Sequence, residues 1–280
     1  MPRFCANLSM MFNEVPFLDR FAAAGKAGFK AVEFLFPYEY EAAELRRRLD
    51  DAGLTVALFN IPPGDWAAGE RGLACLPGRE AEFKEGVKRA IDYAHALGSP
   101  LLHCMGGIVP ADAQSGVPGN LYFSRVAWAA EQTHAAGVKL VLEPINQRDM
   151  PRYAIHLTTQ VAGIVAVLGA DRVGLQFDLY HCQIAEGDLT MHMEALMPII
   201  AHMQCADVPG RHEPGTGEIA WDFVFAQVDR LGYGGWIGCE YRPAGDTVAG
   251  LGWLDRYQKA VSEADINAVI GNDSLRLTSY

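Results

Sequence analysis

Four oxygen-bearing side chains stand at or near the ends of four successive apolar runs in the second half of the chain. KLVLEP reaches Glu143, VGLQFD ends on Asp178, HMQCAD carries Gln204 with Asp207 close behind, and WIGCEY reaches Glu240. A carboxylate inside such a run is costly to bury unless it is paired or holds a cation. Any one of them would cap a helix or pair with an arginine as readily as it would do chemistry. Four of them, spaced about one strand-and-helix unit apart, converge on a single point if the strands are parallel and closed into a ring. Three hard carboxylates and one amide oxygen suit Mg²⁺ or Mn²⁺, with positions left for two substrate oxygens. Zinc suits them less, because thiolate and imidazole are not prominent at these positions.

The elements that must carry these residues repeat along most of the chain: a short β-branched run, a loop, then about a dozen residues of helical periodicity. Strands are expected at Phe4–Leu8, Ala31–Phe34, Thr55–Asn60, Leu101–Met105, Lys139–Pro144, Val173–Asp178, His202–Asp207 and Trp236–Tyr241. Helices are expected at Phe17–Ala27, Glu41–Ala52, Glu80–Leu97, Leu121–Ala136, Thr158–Leu168, Leu189–Met197, Asp222–Leu231 and Trp253–Glu263. Glycines such as Gly53, Gly98 and Gly137 follow the helices, where a left-handed cap feeds the turn into the next strand. Eight strands alternating with eight helices predict an α/β fold, a single (β/α)₈ TIM barrel, whose active site lies at the C-terminal ends of the strands. A doubly wound sheet would show a glycine-rich phosphate loop after its first strand, and SMMFNEVP stands there instead. The catalytic domain is placed at 1–263. The polar stretch 264–280 is read as an extension packed on the barrel or on a partner subunit, in a homo-oligomer.

Charge narrows the function. The 280 residues carry 23 Lys+Arg against 34 Asp+Glu, a net −11, which argues against nucleic acid and against anionic membrane as partners. The N-terminal stretch MPRFCANLSMMFNEV lacks an apolar leader core, and no run of apolar residues is long enough to span a bilayer. The six cysteines, Cys5, Cys75, Cys104, Cys182, Cys205 and Cys239, show no paired spacing, and most lie in strand-like runs. Reduced thiols in a cytoplasmic protein are the expectation.

The segments FLFPYEY, NIPPGDWAAGERGL, LEPIN, QFDLYH and RHEPGTGEI resemble the hydroxypyruvate isomerase family. That family belongs to the xylose-isomerase-like barrels, beside the D-tagatose 3-epimerases, and the likeness spans nearly the whole chain. It implies metal ligands at Glu143, Asp178, Gln204 and Glu240 and an acid/base pair at Glu143 and Glu240. It implies, too, that His181 of the DxYH motif and Arg211 before PGTG touch substrate oxygens. Gln204 stands where the wider epimerase group has His. That weakens the hold on the cation and leaves open whether the metal is obligatory.

The implied reaction interconverts hydroxypyruvate and tartronate semialdehyde through an enediolate, an aldose–ketose type isomerisation in carbohydrate and glyoxylate metabolism. The anionic end of a small keto acid needs a cation, for which Arg71, Arg148 and Arg211 are the loop candidates, and Trp66 is a candidate cover for the pocket. The four-carbon 2-oxotetronate is the nearest alternative substrate, and a ketohexose epimerised at C3 is the next. Metal-dependent cleavage of DNA, as in the related barrel endonucleases, would want His-rich sites and a basic groove. His103 lies near the end of the fourth strand without an assigned role, and His95, His134 and His202 are read as structural.

Overall fold

A computed structural model describes residues 2–257. Eight parallel strands, β1 (Arg3–Asn7), β2 (Ala31–Phe34), β3 (Thr55–Asn60), β4 (Leu101–His103), β5 (Lys139–Leu142), β6 (Val173–Asp178), β7 (Ile200–Cys205) and β8 (Trp236–Cys239), form a closed barrel in chain order. Closure is made by β8 on β1, with Arg3 opposite Trp236 and Ala6 opposite Cys239. The helices are α1 (Phe17–Lys26), α2 (Ala42–Ala52), α3 (Glu80–Leu97), α4 (Val117–Ala135), α5 (Thr158–Leu168), α6 (Leu179–Ala185), α7 (Leu189–Leu196) and α8 (Trp221–Arg230). This is the expected TIM barrel. No described helix is long and apolar enough to cross a membrane.

Side chains alternate across each strand, so residues two apart share a face. Cys5 and Asn7, Ala31 and Glu33, Gln176 and Asp178, His202 and Gln204, and Trp236, Gly238 and Glu240 thereby fall into common rows. Cys5, Ala31 and Ala57 form a small apolar cluster closed by Trp236. The larger core, including Phe4, Phe21, Leu45, Val87 and Phe225, lies between strands and helices. All six cysteines are unpaired and buried.

Several strands stop short of their expected ends. Leu142 is the last strand residue of β5 because Pro144, two residues on, has no N–H for a ladder. The short helix α6 was not anticipated. Asp178 starts it by accepting from the backbone N–H of Tyr180 at 2.7 Å and of His181 at 3.4 Å. After β8 the chain forms a 3₁₀ turn at Ala249–Trp253, and the helix expected from Trp253 begins two residues later, with 255–257 helical. Most of that expected helix, and the extension at 264–280, lie outside the described residues.

Candidate active site

The ends of β5, β6 and β8 bring Glu143, Asp178 and Glu240 together, all buried, around the guanidinium of Arg211. Arg211 Nη2 lies 2.8 Å from Glu240 Oε2 and 3.7 Å from Asp178 Oδ2. It is held there by the loop after β7. Asp207 takes hydrogen bonds from the backbone of Val208, Gly215, Gly217 and Ile219 and from Trp221 Nε1, and so ties that loop into shape. Asp207 is thus structural.

The cluster is not electrically satisfied. Glu143 Oε1 and Asp178 Oδ2 are buried without a hydrogen-bond partner among the described residues. Burial first, then the charges of Glu240 and Asp178, push the Glu143 carboxyl well above its ordinary value. Burial raises Glu240 to about 8 against the pull of Arg211, and raises Asp178 against Arg211 and its helix-cap bonds. Burial alone would lower Arg211, but the three carboxylates around it win and keep it charged.

His181 follows Asp178 on α6 and points Nε2 at the same place, 3.7 Å from both Glu143 Oε1 and Asp178 Oδ2. Its tautomer follows from its other side. Asn146 Oδ1 accepts from the Asp149 N–H at 2.9 Å, which turns the Asn146 amide nitrogen toward His181 Nδ1, 2.6 Å away. Nδ1 therefore accepts, and the ring proton sits on Nε2. Burial, with Arg211 and Arg148 nearby, holds the ring neutral, well below the ordinary histidine value. A ring with its proton on Nε2 presents an N–H at the centre of the cluster, unbonded to either oxygen at 3.7 Å, and no lone pair to a metal. Glu143, Asp178 and His181 do place ligand atoms within 4.8 Å of one another. The two bare carboxylate oxygens, hard donors with no protein partner, fit a divalent cation.

Gln204 is placed differently from the carboxylates. Its amide nitrogen donates to Glu33 Oε1 at 2.9 Å, and its oxygen accepts from Gln176 Nε2 at 2.7 Å, leaving one lone pair for any cation. His103 packs against Glu143 with Nδ1 3.7 Å from Oε2 and 3.2 Å from Asn60 Oδ1, and burial pushes its pKa to about 3.

A cavity of about 530 Å³ opens over the cluster, lined by Glu143, Glu240, His181, Arg211, Trp66 and Arg71 among others. The Arg71 guanidinium stacks on Trp66, 3.8 Å from the ring centre, and among the described residues donates only through Nη1, to the carbonyls of Trp66 and Glu70. Arg148 does not line the cavity. It is half exposed and bonds Asp149 and the Tyr180 hydroxyl. Arg211, expected to meet the substrate's charge, is taken up by protein carboxylates. Sequence reasoning missed Arg242, which lines the cavity mouth without an ion pair among the described residues. It missed Asn146 and Asn7 as well.

Comparison with known proteins identifies the family. The model of the xylose isomerase-like TIM barrel family matches residues 21–257. A 2-oxo-tetronate isomerase of Cupriavidus necator is 55% identical over 257 residues, covering 92% of this chain and 99% of that protein. A hydroxypyruvate isomerase of Escherichia coli is 45% identical over 258 residues, covering 92% and 100%. A crystal structure from Brucella melitensis, described as an AP endonuclease, family 2, aligns with a TM-score of 0.89 at 46% identity, covering 92% and 99%. The chain belongs to the xylose isomerase-like TIM barrel family and stands among its isomerases.

Proposed function

We propose that this isomerase interconverts hydroxypyruvate and tartronate semialdehyde, with the four-carbon 2-oxotetronate as the alternative substrate. Both molecules carry a carboxylate at C1, a ketone at C2 and a hydroxyl at C3. The observation that carries the reading is the pair Glu143 and Glu240, buried at the ends of β5 and β8 and lining one cavity.

One glutamate takes the proton from C3, the C3–H electron pair becomes the C2–C3 double bond, and an enediolate forms. The other returns a proton to C2 while the hydroxyl proton passes from O3 to O2, so that the carbonyl ends at C3. Two carboxyls raised by burial suit the task, because one can be protonated while the other is ionised. His181 donates from Nε2 to whatever oxygen lies between Glu143 and Asp178, and Arg211 offsets the crowded negative charge. Glu143, Asp178, Gln204 and Glu240 would hold Mg²⁺ or Mn²⁺, which as a Lewis acid stabilises charge developing on substrate oxygens. Arg71, on its Trp66 platform, and Arg242 offer guanidinium N–H groups to the substrate carboxylate, which favours a keto acid over a neutral hexose.

The test offers purified protein hydroxypyruvate, 2-oxotetronate and D-fructose, with and without EDTA. Turnover of a keto acid is expected. Epimerisation of D-fructose faster than isomerisation of either acid overturns the reading.

A further inference from the structure

Beneath the cluster, Glu33 reaches across the barrel interior from β2 and is saturated with donors. Its Oε1 accepts from Asn7 Nδ2 on β1 and from Gln204 Nε2 on β7, each at 2.9 Å. Its Oε2 accepts from His202 Nε2 at 2.6 Å and from the Cys5 thiol at 3.6 Å. The opposite wall is shaped to admit it. A Cβ on Gly238 of β8 would lie 2.3 Å from both Glu33 oxygens.

We propose that Glu33 is a positioning residue for the proton-transfer pair: through Asn7 it holds the Glu240 carboxylate in place, and through the Gln204 amide it fixes which end of that side chain faces β6. The proposal rests on Glu240 being a proton-transfer group. Glu240 has two hydrogen-bond contacts among the described residues, Arg211 to Oε2 at 2.8 Å and Asn7 Nδ2 to Oε1 at 3.4 Å. Arg211 belongs to a loop, whereas Asn7 belongs to a strand of the closed barrel. The Asn7 amide cannot turn over, because its Oδ1 accepts from the Ser9 N–H at 3.0 Å and its nitrogen must then face the two carboxylates. Asn7 and Glu33 stand directly opposite in the β1–β2 register. Removing Glu33 leaves the Asn7 amide nitrogen with one long contact, to Glu240, and without the closer acceptor that sets where that nitrogen sits.

The test compares Asn7→Ala, Glu33→Gln and the double variant for kcat and KM on the keto acid that the wild type turns over. Asn7→Ala should lower kcat about tenfold with KM within about twofold, the size of loss that a small misplacement of a catalytic group brings. Glu33→Gln puts an N–H donor where four donors converge and should lower kcat to a similar extent. Because Glu33 reaches Glu240 through Asn7, the double variant should lose less than the product of the two single losses. Losses that multiply, or an Asn7→Ala enzyme with wild-type kcat, overturn the proposal. Crystal structures of the variants give a second readout: Glu240 should be displaced by about 1 Å or more, and an unmoved Glu240 overturns the proposal too. If Glu33→Gln fails to fold, Asn7→Ala, which leaves the Glu33–His202 pair intact, carries the test alone. A wild type inert toward both keto acids would refute the proposed substrates, and the Glu240 displacement would still decide the positioning role.

Discussion

Glu33 on β2 and the three carboxylates at the ends of β5, β6 and β8 lie in one barrel, with β2 paired to none of those three strands, and all of them are buried. Glu33 has donors on each oxygen, and although burial would raise it, His202 and the bonds from Gln204 and Asn7 hold it below its ordinary value. Glu143, Asp178 and Glu240 share one guanidinium, leave two oxygens bare, and are all raised. Burial alone therefore says little about what a carboxylate does. A saturated one has no capacity for a ligand and fixes its neighbours, whereas an unsaturated one is held ready for something outside the protein.

The contrast can be broken most forcefully at Glu33. Glu33→Ala would leave His202, Gln204 and Asn7 without an acceptor in the interior, at a cost of about 3–5 kcal/mol, the scale for breaking a buried pair. Urea unfolding measures it, and a loss below about 1 kcal/mol would mean that the network relaxes freely. The same measurement on Glu143→Gln should show no loss, because the change removes a crowded charge rather than a satisfied one.

Activity should show the opposite ranking. Glu143→Gln and Glu240→Gln should each lose turnover by on the order of 10²-fold or more, the scale for removing a general base. Exchange in deuterated water separates them. The variant lacking only the reprotonating group still washes out the substrate C–H, and near-normal isomerisation by either variant ends the two-base scheme.

The two sets predict opposite limbs of a pH–stability profile in EDTA-treated protein. Glu33 has a lowered folded pKa, so its contribution is present above the unfolded value near 4.5 and is lost as pH falls below it. The raised Glu240 works the other way: its contribution is full below 4.5 and is lost as pH rises through about 8. The Tm should therefore fall by a few degrees between about pH 6 and pH 9. Glu240→Gln should flatten that limb and leave the acid limb unchanged. An alkaline limb identical in the variant would assign the effect to other groups.

The barrel was legible in the repeat of strand and helix patterns, and the cluster in what stands at the strand ends. A strand-end carboxylate in an apolar run stands out, and Glu143, Asp178 and Glu240 each did. Glu33 sits within AVEF and was passed over, because attention to strand ends hides a charge one residue inside. Period-two alternation from Ala31 would have turned it inward, and the same alternation carries His202 to the row of Gln204. Arg211 was expected at the site and lies in the cluster, but its partners come from β6 and from the end of β8, contacts that no spacing along the chain displays. Arg242 had no signal beyond following Glu240 by two residues.

The smallest expected effect tests which cation the substrate meets. Arg211 is neutralised by Glu240 and Asp178, so it has little charge to offer a ligand. Arg148 is half exposed and does not itself line the cavity, and it pairs with Asp149, which does. Arg71 differs from both, since its Nε and Nη2 groups have no protein partner among the described residues, and its plane is set by stacking on Trp66. A planar guanidinium fixed in this way can meet a carboxylate with two parallel bonds, which an ammonium cannot do. Arg71→Ala should raise KM for a keto acid about tenfold with a smaller change in kcat, as expected for a contact made equally in ground and transition states. Arg71→Lys should recover only part of the loss. Trp66→Ala should resemble Arg71→Lys, because it removes the platform and keeps the charge. Arg148→Ala should leave KM within about twofold, because Arg148 lies off the cavity. If Arg148→Ala weakens binding more than Arg71→Ala, the substrate carboxylate lies on the α6 side of the cavity, and the anchoring role passes from Arg71 to Arg148.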